Sequence, residues 1–158
     1  MGRILSKNLK VNLLLKMMAM KIPMLGYIRP KIVELNEDTC TVRVPLRRRT
    51  KNHLNSMYFG ALSAGADCAG GLIAMAAIRR SGQKVALIFK DFKADFLRRA
   101  EGDVHFRCVE GKEILALVEE AVETGERVNM PVHVTATVPT ESMEPVAEFV
   151  LTLSLKKK

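Results

Sequence analysis

The chain has no tryptophan, and only two tyrosines and six phenylalanines among 158 residues. A surface that grips nucleic acid by base stacking needs more rings than that, and its Lys and Arg do not form one long block. Cysteine is scarce too: Cys40, Cys68 and Cys108 have no metal-ligand spacing, and the odd count fits free, reduced thiols in a cytosolic protein. No cleavable signal is recognised, because Lys7, Lys10, Lys16 and Lys21 break the N-terminal apolar residues. No G-x-S-x-G elbow surrounds Ser56 or Ser63, and His53, His105 and His133 lack triad context, which argues against a serine hydrolase. There is no internal repeat, low-complexity linker or second domain, and 158 residues suffice for one domain with a substantial core. Acidic residues are outnumbered, 17 against 25 Lys and Arg. The net charge of +8 points to an anionic partner, and the aromatic poverty turns that expectation from nucleic acid toward a membrane surface or a phosphorylated ligand.

The chain is organised around YFGALSAGADCAGGLIAMAAIRRS, residues 58–81. Between Ala61 and Ile78 the only charge is Asp67, and Gly65, Gly70 and Gly71 each cost about 1 kcal/mol against Ala in a helix. Such a helix needs something wrapped around it. At about 100° per residue, Gly60, Ser63, Ala64, Asp67, Gly71 and Ala74 share a face of small residues, and Leu62, Ala66, Ala69, Ile73 and Ala77 share another. A membrane span is disfavoured because a central Asp costs roughly 2.5 to 3.5 kcal/mol there. A carboxylate on a buried face is expensive unless it is hydrogen-bonded or used in chemistry.

Residues 3–21 read as a basic amphipathic helix with Leu5, Leu9, Leu13, Met17 and Met20 along one side, ended by Pro23 and Gly26. Three placements are open to it: packing on its own domain, a lid over an apolar ligand, or contact with a membrane surface. Lys31–Leu35 and Thr39–Pro45 predict a hairpin around Asn36-Glu37-Asp38. A loop carrying Arg47, Arg48, Arg49 and Lys51 leads to the long helix, and is either a solvated face or a phosphate site. Lys84–Phe96 predicts a strand whose alternation changes phase near Lys90-Asp91, the mark of a bulge. Arg98-Arg99 and Gly102-Asp103 turn it into Val104–Val109, followed by a helix over Gly111–Thr124 that Gly125 stops. Two strands follow, one alternating from Val128 to Val138 with Pro131 at an edge or bulge, the other from Ala147 to Leu155. The plan is α+β, an antiparallel sheet curled around one helix. The uncovered Gly/Ala face predicts a homodimer, and a homotetramer is the larger assembly expected.

That plan, with the start of the long helix, resembles the hotdog-fold acyl-CoA thioesterases, specifically the branch related to phenylacetate-pathway thioesterases and its uncharacterised relatives. The family pattern is an Asn, a His-Gly-Gly beginning six residues later at the helix start, and an Asp or Glu nine residues after that His. Here Asn52 stands six before Tyr58, Asn55 falls where the family often has Gly, Tyr58-Phe59-Gly60 replaces His-Gly-Gly, and Asp67 is nine beyond Tyr58. The resemblance implies hydrolysis of an acyl-CoA thioester, with Asp67 as general base or nucleophile and Asn52 orienting the water or carbonyl. The backbone amide of Gly60, with that of Phe59, is a helix N-terminal oxyanion site. Tyr58 is either a hydroxyl donor or a core aromatic. No cofactor is implied, coenzyme A entering as part of the substrate. Arg47, Arg48, Arg49, Lys51, Arg98 and Arg99 are candidates for its phosphates by their clustering at loop ends. The rival reading is a non-catalytic acyl-binding protein that uses the same cavity as a sensor or carrier.

Overall fold

The computed structural model describes residues 2–158, with side chains in the first helix described from Val11 onward. Helix α1 (Gly2–Lys21) and a short α2 (Pro23–Tyr27) precede the hairpin β1 (Lys31–Leu35) and β2 (Cys40–Val44). Asn36 closes that hairpin, its side-chain oxygen accepting the amides of Asp38 at 2.9 Å and Thr39 at 2.8 Å. The long helix α3 (Phe59–Ser81) follows, then β3 (Val85–Phe96), β4 (Val104–Cys108), α4 (Gly111–Thr124), β5 (Val128–Val138) and β6 (Ser142–Lys157). All six strands join one antiparallel, unclosed sheet in the order β1-β2-β4-β5-β6-β3. This is the hotdog arrangement that the resemblance implied.

The sheet supplies what α3 needs. Ala66, Cys68, Ala69, Leu72, Ile73, Ala74 and Ala77 are fully buried in the helix, against Phe106 of β4, Val132 of β5 and Leu151 and Leu153 of β6 in one core. By length and hydropathy α3 could cross a bilayer, and its burial under the sheet accounts for that composition. Gly65 is where helix and sheet come closest, since a Cβ there would overlap the Phe106 ring. Further along α3, Gly70 faces Phe89 of β3 and Val132 at ordinary contact distance. Cys40 and Cys108 are cross-strand partners in the β2–β4 ladder, and with Cys68 they are buried free thiols.

Several expectations change in detail. The helix read over residues 3–21 is α1, but Pro23 does more than end it: it opens α2 in its first turn, where a missing N–H costs nothing. Of the three placements open to the Leu/Met stripe, packing on its own domain is not the one its described ends adopt. Leu14 and Met18 are buried, while Leu13 and Met20 of the stripe are 50% and 67% exposed. The side chains of Leu5 and Leu9 lie outside the described residues. The phase change in β3 is real, with the register against β6 shifting between Phe89 and Phe92. β6 starts at Ser142 rather than Ala147, held to β5 through a ladder irregular at its turn end. Pro131 sits beyond the end of β4, which pairs with β5 only over Thr135–Thr137. The His133 N–H, two residues on and directed to the same side, is taken by Glu110 rather than a strand. Pro131 therefore breaks no ladder bond.

Candidate functional site

The start of α3 is set by the loop before it. Buried Thr50 accepts the Arg47 amide at 2.9 Å and donates its hydroxyl to the Pro45 carbonyl at 2.8 Å. Asn52 then builds a turn: its side-chain oxygen accepts the amides of Leu54 at 2.9 Å and Ser56 at 3.2 Å, and its amide donates to Ser56 Oγ at 3.0 Å. Asn55 inside that turn has φ 64°, a left-handed conformation that Gly and Asn adopt with least strain, which explains the exchange of one for the other at this position. The amides of Met57 and Tyr58 bond to the carbonyls of Ala100 and Thr50, both at 2.8 Å, fixing the direction in which the helix leaves.

Tyr58 is the N-cap residue, and its side chain caps nothing. The first helical amide with a partner one turn back is Leu62, bonded to the Tyr58 carbonyl at 3.0 Å. The amides of Phe59 and Gly60 thus stand at the positive end of a 23-residue helix with no intrahelical acceptor. Tyr58 folds its ring over Gly60, where a Cβ would collide with it, and lies 4.8 Å from the Phe59 ring, which is itself 6.2 Å from Phe96. Gly60 is therefore required by the ring beside it. Its open amide lies beneath a half-exposed tyrosine.

Asp67 lies seven residues further on, about 10 Å along the helix axis. It shares the small-residue face with Gly60, Ser63 and Ala64, and that face is only partly covered. β3 runs back beside it, from Phe89 against Gly70 to Phe96 against Phe59. Burial raises the Asp67 pKa above the usual carboxylate range, and no ion pair pulls it back. Among the described residues it has neither a salt-bridge nor a hydrogen-bond partner.

The six candidate cations separate. Arg98 and Arg99 line a cleft of about 530 Å³ with Asn52, Tyr58, Phe59 and Phe96. Both are tethered, Arg98 to Glu144 at 3.2 Å and Arg99 to the Leu54 carbonyl at 2.6 Å and Glu101 at 3.1 Å. Arg47, Arg48, Arg49 and Lys51 lie outside that cleft, Arg47 beside Asp103 at 3.8 Å and Arg49 stacked on Tyr27. Asp67 and Gly60 belong to the neighbouring helix face and not to the cleft wall. Two contributors went unnoticed in the sequence: Ser56, which holds the Asn52 amide, and Phe96, which closes the aromatic cluster from the far strand. Spacing carries no signal for either. His133 pairs with Glu110 at 2.8 Å on the outer face, and no cluster among the described residues could hold a metal.

The profile of a family described as a domain of unknown function, DUF4442, matches residues 11–154. The chain belongs to the DUF4442 family. No functionally curated protein matches it. Among solved structures, this DUF4442 chain is similar to a Pseudomonas aeruginosa protein of unknown function, called a probable thioesterase. The two are 25% identical, over 93% of this chain and 95% of that one, with a TM-score of 0.78. A Chlorobaculum tepidum protein of unknown function superposes with a TM-score of 0.83 at 13% identity, covering 94% of each chain. A thioesterase from Haemophilus influenzae gives 0.63 at 16% identity, covering 84% of this chain and 82% of that one. The two more distant likenesses speak for the fold, which this DUF4442 chain shares over nearly its whole length.

Proposed function

We propose that this chain hydrolyses acyl-CoA thioesters at a site completed by a second copy of itself. The observation that carries the proposal is Asp67: a carboxylate without a partner among the described residues, held on a partly covered Gly/Ser/Ala face. Its similarity to a probable thioesterase supports the same chemistry. A water oxygen adds to the thioester carbonyl carbon, the C–S bond breaks, and the thiolate of coenzyme A takes up a proton as the free acid leaves. Asp67 either takes the proton from that water or attacks the carbonyl itself, forming an anhydride that water then opens. The developing oxyanion falls to the open amides of Gly60 and Phe59.

About 10 Å of helix separates Asp67 from Gly60 in one chain, too far for both to reach one carbonyl. β3 is one of the two edge strands of the sheet, twelve residues long against five in β1, and it borders the Asp67 face. Pairing two β3 edges about a two-fold axis would bring one protomer's Asp67 toward its partner's α3 N-terminus. Exposed Ile88 and Phe92 on that strand favour such pairing. Arg98 and Arg99 are the cations best placed for the phosphates of coenzyme A, because they share the cleft with Asn52 and Tyr58. The bonds already made by Asn52 make it a positioning residue, which holds the helix start in place. The test is release of free thiol from a panel of acyl-CoA esters by the purified protein. Tight binding of the esters without turnover by wild type would instead favour the acyl-binding carrier, for which the substitution of Tyr58-Phe59 at the helix start speaks.

A further inference from the structure

The net charge is unevenly placed. The first 33 residues hold seven cations and no acid, whereas the other 125 carry 18 Lys and Arg against 17 acids. Nearly all of the +8 therefore belongs to the segment that forms α1, α2 and the start of β1. Among the described residues of that segment, Lys16, Lys21, Arg29 and Lys31 are exposed, and none has a carboxylate within ion-pair distance. Between them lie the largest exposed apolar side chains of the region: Leu13 (50%), Met20 (67%), Ile22 (45%), Met24 (66%) and Tyr27 (53%). At about 100° per residue Leu13, Met17 and Met20 fall within one narrow sector of α1, flanked by Lys16 on one side and Lys21 on the other. Leu14 and Met18, about 110° round the helix and just past Lys21, are the side chains that pack on the domain.

From this arrangement we infer that the outer face of α1 and α2 docks on an anionic lipid surface. An apolar sector bordered by lysines suits a helix lying in the plane of a bilayer, its apolar side chains among the acyl chains and its cations among the headgroups. Tyr27 at the end of α2 is the residue type that favours the headgroup level. It also ties in more charge: Arg49 lies 5.1 Å above its ring and donates to its carbonyl at 3.2 Å, so exposed Arg48 and Arg49 extend the same basic surface. A second copy of the chain is a poor occupant, because face-to-face contact would set exposed Lys16, Lys21, Arg29 and Lys31 against the same four cations. A nucleic acid is a poor one too, since aliphatic Leu, Ile and Met would be left in water over the phosphates. The surface is separate from the α3 cleft, so the inference does not depend on the hydrolase reading.

Flotation of the purified protein with vesicles tests it, using phosphatidylcholine alone and phosphatidylcholine mixed with phosphatidylglycerol. The protein should float with the mixed vesicles, stay behind with the neutral ones, and be released as salt is raised. Each cation near an anionic surface adds about fivefold to partitioning, so Lys16→Glu with Lys21→Glu should weaken it at least 25-fold. Met20→Gln with Met24→Gln should abolish it at unchanged net charge. Both pairs are surface changes and should leave the melting temperature and the hydrolysis of a short, soluble acyl-CoA unaltered. Absent binding, equal binding to neutral vesicles, or variants that float like wild type would each overturn the inference. So would a Met20/Met24 variant that keeps its lipid binding but sediments as a smaller species, which would assign the face to contact between copies. The wild-type lipid and salt series decides the matter even if a variant fails to fold.

Discussion

Replacing Asp67 by Asn separates chemistry from folding more cleanly than any other change in this chain. The side chain keeps its size, and no donor among the described residues is lost with the charge. If Asp67 is the base or nucleophile, hydrolysis of a good acyl-CoA substrate should fall at least 10²-fold, about 2.7 kcal/mol of barrier. Stability should move the other way. Burial raises the Asp67 pKa above its ordinary value of 3.8, so the native state keeps the proton to higher pH than the unfolded chain does. Stability is therefore fullest below about 3.8, falls as pH climbs through the native pKa, and stays at the lower level at neutrality. Asn does not titrate and escapes that loss. The difference from Asn is the extra cost of desolvating a charge rather than a neutral amide, and the partial exposure of Asp67 keeps it to about 1 kcal/mol. The variant should accordingly melt about 2–4 °C above wild type at pH 7 and level with it in acid. The wild-type rate should rise with pH through a single group titrating above 3.8, and the variant should lack that limb. Calorimetry at several pH values and a thiol-release assay on the same samples measure both. An Asn variant that turns over at the wild-type rate, or one that loses stability together with activity, would refute the reasoning.

Three further outcomes follow from the packing. Gly65→Ala should destabilise by about 1–3 kcal/mol, because the new methyl meets the fully buried Phe106 ring and overpacking outweighs the helix-propensity gain. Gly71→Ala, with its nearest neighbour atom 3.9 Å away, should be neutral or stabilising in the same urea titration. Wild type should sediment as a dimer at micromolar concentration, and Ile88→Lys with Phe92→Lys on the free edge should yield monomers with little hydrolysis; a fully active monomer would rule out a shared site. The Michaelis constant for acyl-CoA should rise with ionic strength if Arg98 and Arg99 meet its phosphates, and a flat response would remove them from the site.

What could be read from the sequence is what depends on neighbours along the chain. Alternation marked β2, β5 and most of β6, the loss of phase at Lys90-Asp91 marked the β3 bulge, and a lone charge in eighteen residues marked Asp67. The contacts that shape the site come from further apart. β3 follows α3 directly, yet it takes the far edge beside β6, and only that crossing brings Phe96 to Phe59. The Asn52 amide could not be known to be engaged, because its partner Ser56 is recruited by a turn that needs Asn55 in a left-handed conformation. In α1 the periodicity is legible but its direction stays open, since a stripe of Leu and Met looks the same whether it meets a core or faces outward. The 10 Å between Asp67 and Gly60 follows from helix geometry alone, but its meaning emerges only beside a free strand edge.

The three buried cysteines bear on how this protein can be assayed. Burial pushes the Cys68 thiol up to about 12 and Cys108 up to about 11, and carries Cys40 higher still. With so little thiolate at neutral pH and no solvent path to the sulfur atoms, a colorimetric thiol trap added to the folded protein should find nothing to label. The baseline of a coenzyme A release assay would be flat for the intact chain. Slow colour growth without substrate would then measure opening of the sheet from around α3, so each activity trace would carry its own control for unfolding.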